Sequence, residues 1–376
     1  MVTVDSDHWS RRRWLVVAGQ AGAAALLTPT ASVAGPSSSS RRARARINVS
    51  LNESAYGPSP QVARALTLEL RGLERYTGDE ARALVRQISE LEGVAEEQVL
   101  LGEVLEPLGL QLGLNGGPGG DFLFSEPGYT ALVDAARPVG GVGVPVPLNA
   151  RQENDLPAFG ARLTRRSRAV FLVNPHNPSG TLSEASELRA AVADFSKKAL
   201  VVVDEAYLDY QDDWRTRSLV ELVRAGENVV VFRTFSKLHG LAALPLGYAV
   251  APRKLADDLR RSGLGSPRSL NRLAVRAASV SLRDTAYLEQ VRARVRLERE
   301  RYQAVFAELK LRSSAAQASF VFFESKRPQP DLAAALAAED IDIGRAFPPL
   351  LNWTRISIGL PAENQRVQAA LRRALA

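Results

Sequence analysis

The 376-residue sequence contains no cysteine. A thiolate nucleophile, a disulfide framework and any zinc or iron–sulfur site built on cysteine are therefore excluded. Only three histidines are present, His8, His176 and His239, and no His-Glu-x-x-His arrangement occurs. Metal catalysis is consequently disfavoured. The hydrophobic content of 45% is ordinary, and the length suffices for a large domain with a smaller partner.

A long apolar run is also missing. The strongest candidate, Trp14 to Leu27, is interrupted by Gly and Gln and is too short to span a bilayer stably. It follows Ser10-Arg11-Arg12-Arg13-Trp14-Leu15, which resembles the twin-arginine export consensus. Ser32-Val33-Ala34 then offers the small residues that a signal peptidase accepts. We therefore predict a twin-arginine signal peptide at 1–34, with a basic disordered tail as the alternative.

These features predict export through the twin-arginine machinery to a periplasmic or secreted location, without stable membrane insertion. Residues 35–46 are rich in Ser and Arg and are predicted to form a disordered linker. Seven arginines and two aspartates precede Ile47, so five of the seven net positive charges lie there and only +2 remains for the folded part. Nucleic acid is therefore not predicted as a partner.

The central part of the chain reads as an α/β domain. Residues Ala81 to Glu92 carry apolar side chains at helical spacing, which predicts an amphipathic helix. Seven short apolar runs are typical of strands covered on both faces: Val99–Gly102, Asp121–Phe124, Gly143–Leu148, Ala169–Val173, Leu200–Val203, Val229–Phe232 and Gly247–Ala251. Polar segments such as 184–198 suit crossover helices, so the pattern predicts a mostly parallel sheet.

Beyond Arg268 the pattern changes to a smaller α+β unit. It predicts a long charged helix over 284–309, a helix over 331–339, and strands over 319–323 and 354–358. The predicted organisation is an N-terminal arm at 47–80, a large domain at 81–267 and a small C-terminal domain at 268–376. No internal repeat is present.

Four polar clusters follow apolar runs, where function collects in parallel sheets. They are SEPGY from Ser125, NPHNPSG from Asn174, DEAY from Asp204 and RTFSK from Arg233. An Asp and a Lys at such strand ends are desolvated, and each needs a partner of opposite charge or a hydrogen bond. A ligand bound across the strand ends satisfies both.

The ordered series NPHNPSG, DEAY, RTFSK with GLAALPLGY, and the late TRISIG resembles the fold-type I pyridoxal-phosphate enzymes, in particular the histidinol-phosphate aminotransferase branch of the class I/II aminotransferases. The resemblance extends from about Ile47 onward. It implies a seven-stranded, mostly parallel large domain, pyridoxal 5'-phosphate as the cofactor, an amino acid and a 2-oxo acid as substrates, and a homodimer with active sites at the interface.

The resemblance also implies residue roles. Lys237 would carry the cofactor through a Schiff base and then move the substrate proton. Asp204 would pair with the pyridine nitrogen and keep it protonated. Asn177 and Tyr207 would hydrogen-bond the phenolic oxygen, and Tyr129 would stack on the ring. Each has an ordinary alternative, such as a helix-capping aspartate, a turn asparagine or a packed tyrosine.

Arg355 would clamp the substrate carboxylate through a bidentate pair, with a surface ion pair as the alternative. Arg345 could add a second anionic contact, and Asn52 matches an N-terminal segment that closes over the substrate. Tyr76 would reach the cofactor phosphate of the neighbouring subunit, and phosphate donors within the same chain are Thr234 and Ser236.

Two departures concern the cofactor phosphate. The family's Gly-x-Gly-Ser turn is replaced by Leu101-Gly102-Glu103-Val104-Leu105-Glu106, which brings a carboxylate to the expected phosphate position. Pro245 stands where the family has an arginine. Three hypotheses remain open on the sequence alone: an aminotransferase with an altered phosphate site, a lyase or racemase on the same cofactor, and a catalytically degenerate protein.

Overall fold

A seven-stranded sheet forms the centre of the computed structural model, which describes residues 46–114, 119–266 and 268–375. Its strands are β2 (Val99–Leu101), β3 (Asp121–Glu126), β4 (Val142–Pro147), β5 (Ser167–Val173), β6 (Leu200–Asp204), β7 (Val229–Thr234) and β8 (Gly247–Val250). The strand order across the sheet is β2-β8-β7-β6-β5-β3-β4.

The sheet is parallel from β7 through β6, β5 and β3 to β4, whereas β8 runs antiparallel to both β7 and β2. The predicted α/β class with a mostly parallel seven-stranded sheet is confirmed, and each apolar run coincides with one strand. Strands β6 and β7 end later than predicted, at Asp204 and Thr234, because these polar residues continue the ladder. The carboxyl ends of the parallel strands consequently present polar side chains at one edge.

Helices cover both faces of the sheet. The predicted helix 81–92 begins two residues earlier, at Asp79, and buries Leu84 and Ile88 in the core of one face. The other helices of the region are Pro60–Glu69, Leu105–Leu114, Ala131–Ala136, Leu156–Arg162, Ala185–Ser196, Trp214–Arg217, Val220–Arg224, Arg253–Arg261 and Arg272–Ser281. A second apolar cluster around Phe122 and Phe171 fills the opposite face.

The C-terminal part has its own core. Strands β9 (Phe320–Glu324) and β11 (Trp353–Ser357) pair antiparallel, and the helices are Thr285–Glu308, Gln329–Ala337 and Pro361–Leu375. The helix Pro361–Leu375 was not predicted, whereas the other two helices and both strands lie within one or two residues of their predicted bounds. The fully buried Tyr302 and Phe320 belong to the apolar cluster of this part.

The N-terminal arm is attached to this C-terminal part. Strand β1 (Ile47–Val49) pairs in parallel with β10 (Ile341–Ile343), and both residues Ile47 and Val49 are buried in the C-terminal core. The sequence did not predict this pair. The helix Arg272–Ser281 instead packs into the core of the large sheet through Ala274 and Ala277, although it follows the predicted boundary at 267. The domain boundaries stay predictions.

Within the described ranges no helix is both long and apolar enough to cross a membrane. The predicted signal peptide at 1–34 and all of the predicted linker but Arg46 lie outside the described residues.

Candidate active site

A cavity of about 330 Å³ opens at the carboxyl ends of the parallel strands. Ten of the eleven residues predicted for the site line its wall: Asn52, Tyr129, Asn177, Asp204, Tyr207, Thr234, Ser236, Lys237, Arg345 and Arg355. The wall also includes Leu51, Glu103, Leu105, Glu106, Gly128, Ala206, Phe232 and Phe347. Residues far apart in the chain therefore meet at one site.

Lys237 lies on the tight turn that follows β7. The Thr234 hydroxyl accepts a hydrogen bond from the Ser236 backbone N–H at 3.1 Å, and the Gly240 N–H donates to the Lys237 carbonyl at 3.0 Å. These bonds fix the backbone on both sides of the lysine. Its Nζ atom lies 5.8 Å from the ring centroid of Tyr207, which places the amine over an aromatic face.

Asp204 is the last residue of β6 and is only 2% exposed. Its Oδ1 atom accepts a hydrogen bond from the Ala206 N–H at 2.9 Å. Burial raises the pKa of Asp204 to about 7, while this hydrogen bond and the charge of Lys237 oppose the rise. A buried carboxylate with one donor needs a further cationic partner, so the site is suited to a protonated ring nitrogen.

Tyr207 is held by the N-terminal arm. The Asn52 amide nitrogen donates to the Tyr207 hydroxyl at 3.1 Å, and the Asn52 backbone N–H donates to the Ser357 hydroxyl at 2.9 Å. The Tyr207 ring meets Phe320 edge to face at a centroid distance of 5.1 Å. The arm, the large sheet and β11 therefore jointly position this phenol.

Arg355 is fixed between two elements. Its Nη1 donates to the Asn177 side-chain oxygen at 2.7 Å and its Nη2 to the Ser50 carbonyl at 2.8 Å. Phe320 and Phe347 flank the guanidinium, with centroids at 5.5 and 5.0 Å. Burial lowers the pKa of Arg355 to about 10, so the side chain stays charged at neutral pH. A charged group with a buried, unpaired Nε is suited to an anionic ligand.

Three predicted residues are more exposed. Arg345 lies at the cavity wall over the ring of Phe347, at 4.6 Å from its centroid. Tyr129 is 41% exposed, and burial of its hydroxyl together with the charge of Asp204 raises its pKa. Tyr76 is 81% exposed and lies outside the cavity wall, so its predicted role depends on a second subunit.

Two carboxyl groups occupy the end of the cavity beside the helix Leu105–Leu114. Glu103 precedes the helix, and Glu106 lies in its first turn. Although Glu103 is open to solvent, the protein around its carboxyl and the charge of Glu106 raise its pKa, against the charge of Lys237. The Asp204 carboxylate is an acceptor that fits a pyridinium N–H, whereas Glu103 and Glu106 oppose a phosphate dianion as long as both are ionised.

Among the wall residues that the sequence did not predict, Glu106 and Phe347 bear on ligand binding. Glu106 is the last residue of the stretch that replaces the usual turn, so its acidity in the first turn of the helix was the available signal. Phe347 follows Arg345 by two residues, but nothing in the local pattern indicates that it contacts two arginines.

A charged network behind the site was also missed. Arg233 on β7 is 2% exposed and donates to Glu205 at 2.8 Å and to Asp209 at 2.6 Å. Burial lowers the pKa of Arg233, but the nearby carboxylates outweigh it and raise the pKa. The Glu205 carboxylate also accepts bonds from Ser218 and Leu219. This network ties β7 to the segment after β6, and so holds Lys237 and Asp204 in register.

Among the residues that the structure describes, no group of three or more His, Cys, Asp or Glu side chains could hold a metal ion.

Comparison with known proteins gives a consistent result. The model of the family "Aminotransferase class I and II" matches residues 44–371. Histidinol-phosphate aminotransferase 2 of Pseudomonas fluorescens is 34% identical over 337 residues, covering 88% of this chain and 89% of that protein. An aromatic amino acid aminotransferase of Thermobifida fusca is 35% identical over 318 residues, covering 84% of this chain and 87% of that protein.

A solved structure is similar over most of the chain. It is the histidinol-phosphate aminotransferase of Sinorhizobium meliloti in complex with pyridoxal-5'-phosphate, with a TM-score of 0.78 and 25% identity. The match covers 88% of this chain and 91% of that chain.

Proposed function

Because the chain belongs to the class I and II aminotransferase family, which makes it a pyridoxal-phosphate-dependent transaminase, we propose that it transfers the amino group of an L-amino acid to a 2-oxo acid with Lys237 as its catalytic base. The observation that carries this proposal is the meeting of Lys237 and Asp204 in one cavity at the ends of neighbouring strands. Family membership favours transamination over the lyase, racemase and degenerate alternatives.

The bound cofactor supplies an electron sink for the bond broken at the substrate Cα. Asp204 would hold the proton on the ring nitrogen, because a buried carboxylate next to a pyridinium avoids an unpaired charge. Lys237 would hold the aldehyde end and then move a proton at the substrate Cα with its freed amine. The turn bonds on either side of Lys237 keep this amine within reach.

Arg355 would bind the substrate carboxylate and Tyr207 would hydrogen-bond the cofactor's phenolic oxygen. The Arg355 guanidinium is already oriented by Asn177 and Ser50, so little conformational entropy is lost on binding. Since the Asn177 side-chain oxygen accepts from Arg355, its amide nitrogen is the group left to donate to ligand. Asn52 orients Tyr207 through its amide.

The substrate side chain would lie near Arg345 and Phe347. An exposed arginine stacked on an aromatic ring accepts either a second anionic group or a flat apolar one. Relatives named for histidinol phosphate and for aromatic amino acids agree with these two classes. We propose both as candidate donors.

The reaction class is tested by spectroscopy. Purified full-length protein mixed with pyridoxal phosphate should give a visible absorption band that borohydride fixes to the protein. Lys237→Ala should abolish this band, whereas Lys198→Ala, which removes an exposed surface lysine, should retain it. A band that survives Lys237→Ala would contradict the assignment of Lys237. Donors are compared by following conversion to the amine form with histidinol phosphate and a panel of L-amino acids.

We also propose that the enzyme is exported folded by the twin-arginine route. Its support is the sequence Ser10 to Leu15, and this route suits a protein that loads its cofactor before export. Arg11→Lys with Arg12→Lys should retain the precursor in the cytoplasm, as measured by cell fractionation. Unchanged appearance outside the cytoplasm would reject the proposal.

A further inference from the structure

The cavity that contains Lys237 is acidic at one end. Glu103 and Glu106 line it together with the hydroxyl-bearing residues Thr234 and Ser236. The ten-residue helix Leu105–Leu114 begins at this end, and a helix N-terminus ordinarily favours an anion. The local backbone therefore favours a phosphate, while the two side chains oppose it.

The strength of the repulsion between the phosphate and the two glutamates depends on which nearby groups carry charge. A phosphate monoester carries nearly two negative charges above pH 7, because its second pKa is about 6. Arg355 is tied to Asn177 and Ser50, and the position of the family's loop arginine is taken by Pro245, which is exposed. Arg345, a further cation of the wall, lies over the ring of Phe347, and Lys237 is the cation whose charge acts on Glu103. One cation does not offset a dianion and two carboxylates.

The groups that face Glu103 come from several elements. Glu106 faces it from the helix and Lys237 from the turn after β7. Asp204 on β6 and Tyr129 after β3 are also within electrostatic reach. Although Glu103 is open to solvent, the protein around its carboxyl and the charge of Glu106 raise its pKa, and a bound dianion would raise it further. Protonation converts a repelled carboxylate into a hydrogen-bond donor.

We propose that Glu103 helps to hold the cofactor phosphate as a neutral carboxylic acid, taking up one proton from solvent when the phosphate binds and donating it to a phosphate oxygen. This inference rests on the proposed function. The bond from Glu103 replaces a donor that the usual turn supplies. Cofactor retention consequently weakens as the pH rises, most of all for a cofactor form that is not attached to Lys237.

The test compares two probes that differ only in the phosphate, pyridoxamine 5'-phosphate and pyridoxamine. Neither needs a covalent bond to Lys237, so binding is measured apart from activity. Their dissociation constants are determined with cofactor-free full-length protein by calorimetry between pH 7 and pH 9, where the phosphate stays a dianion. The ratio of the two constants isolates the phosphate end from the ring end.

For the wild-type protein, the preference for the phosphorylated probe should fall by up to about tenfold per pH unit, the limit for one linked proton. The Gln side chain of Glu103→Gln is a neutral donor at every pH, so this variant should show no such pH dependence. At pH 9 it should bind the phosphorylated probe at least about tenfold more tightly than the wild-type protein does. Glu90→Gln makes the same charge change at an exposed site on the helix Asp79–Glu92, outside the cavity wall, and it should behave as wild type.

Three results would overturn the inference. The first is a wild-type preference that does not change with pH. The second is weaker binding of the phosphorylated probe by Glu103→Gln than by the wild-type protein. The third is a pH dependence that Glu106→Gln removes and Glu103→Gln leaves in place. Failure of the proposed function looks different, because pyridoxal phosphate then gives no absorption band that depends on Lys237.

Discussion

Asp204 combines a functional role with a cost to stability. Its pKa in the folded protein is raised to about 7 by burial, above the ordinary value of 3.8. The folded state therefore binds the proton more tightly than the unfolded state does. The contribution of neutral Asp204 to the free energy of unfolding is fully present below the ordinary pKa and is lost as the pH rises through about 7.

We predict that Asp204→Asn stabilises the cofactor-free protein, because the amide cannot ionise. The gain in free energy of unfolding should be larger at pH 8 than at pH 5 by about 1–3 kcal/mol. Urea denaturation at the two pH values measures it. Asp194→Asn, at an exposed site on a helix, should change stability by less than about 0.5 kcal/mol at either pH. An equal gain at both pH values would refute the raised pKa.

Arg355 is predicted to act on substrate binding rather than on later steps. Arg355→Ala should raise KM for the amino acid by about 10–100-fold, the value of a charge-assisted hydrogen bond, with a smaller change in kcat. Arg355→Lys should not restore it, since an ammonium cannot contact Asn177, Ser50 and a carboxylate in one plane. Steady-state kinetics provides the measurement.

The control for this variant is Arg312→Ala. Arg312 is exposed and pairs with Glu324 at the end of β9, away from the cavity. It should leave KM unchanged. If KM is also unchanged in Arg355→Ala, Arg355 has a role in packing and does not bind the substrate carboxylate.

At the scale of elements, the loop after Lys237 packs directly against the N-terminal arm. Gly240 has a positive φ of 71°, and a Cβ atom there would lie 2.3 Å from the carbonyl carbon of Gly57. The Tyr287 hydroxyl donates to the carbonyls of Tyr56 and Gly57, so the arm cannot move away freely. The arm is therefore clamped between this loop and the long helix.

We predict that Gly240→Ala lowers the free energy of unfolding by about 2–4 kcal/mol, through left-handed strain and backbone overlap together. Gly226→Ala separates the two effects, because φ is 84° at Gly226 but no atom lies within 4 Å of the added Cβ. It should cost only about 1 kcal/mol. Thermal unfolding of both variants tests this. Equal losses in the free energy of unfolding would mean that the close contact between Gly240 and the arm adds no cost.

The elements also indicate how far the sequence was informative. Each of the seven sheet strands was predicted, because each is a nearly continuous apolar run ended by a polar cluster. The β1–β10 pair was not predicted, because two three-residue strands almost 300 positions apart carry no local periodicity. The meeting of Asn177, Asp204 and Lys237 was predictable from their positions after parallel strands. The bonds of Arg355 to Asn177 and Ser50 were not, since they depend on how β11 and the arm pack.

For the whole molecule, an exposed apolar stretch indicates a second subunit. Leu68, Leu70 and Leu73 are 63%, 53% and 55% exposed, and Tyr76 follows at 81%. So dense a group of exposed apolar side chains is unusual on a free surface. We predict a homodimer that covers this stretch.

Leu70→Glu combined with Leu73→Glu should shift the protein to a monomer in sedimentation equilibrium and lower its activity, because charged residues are disfavoured in the core of an interface. Leu297→Glu provides the control, as Leu297 is 48% exposed on the long helix outside this stretch. It should remain a dimer. A fully active monomer in the wild type would reject the prediction.

The role predicted for Tyr76 can be tested across the two subunits. Tyr76→Phe removes only the hydroxyl and should weaken pyridoxal-phosphate binding by about 10–100-fold, as expected for a lost charge-assisted bond. If the hydroxyl reaches the partner's phosphate, co-expression with Lys237→Ala creates mixed dimers in which one site has both Lys237 and Tyr76 intact. Titration should then reveal about a quarter of all sites with wild-type affinity, given random pairing of two subunits. If Tyr76 acts within its own chain, no such sites form, because every intact Lys237 then shares its chain with Phe at position 76.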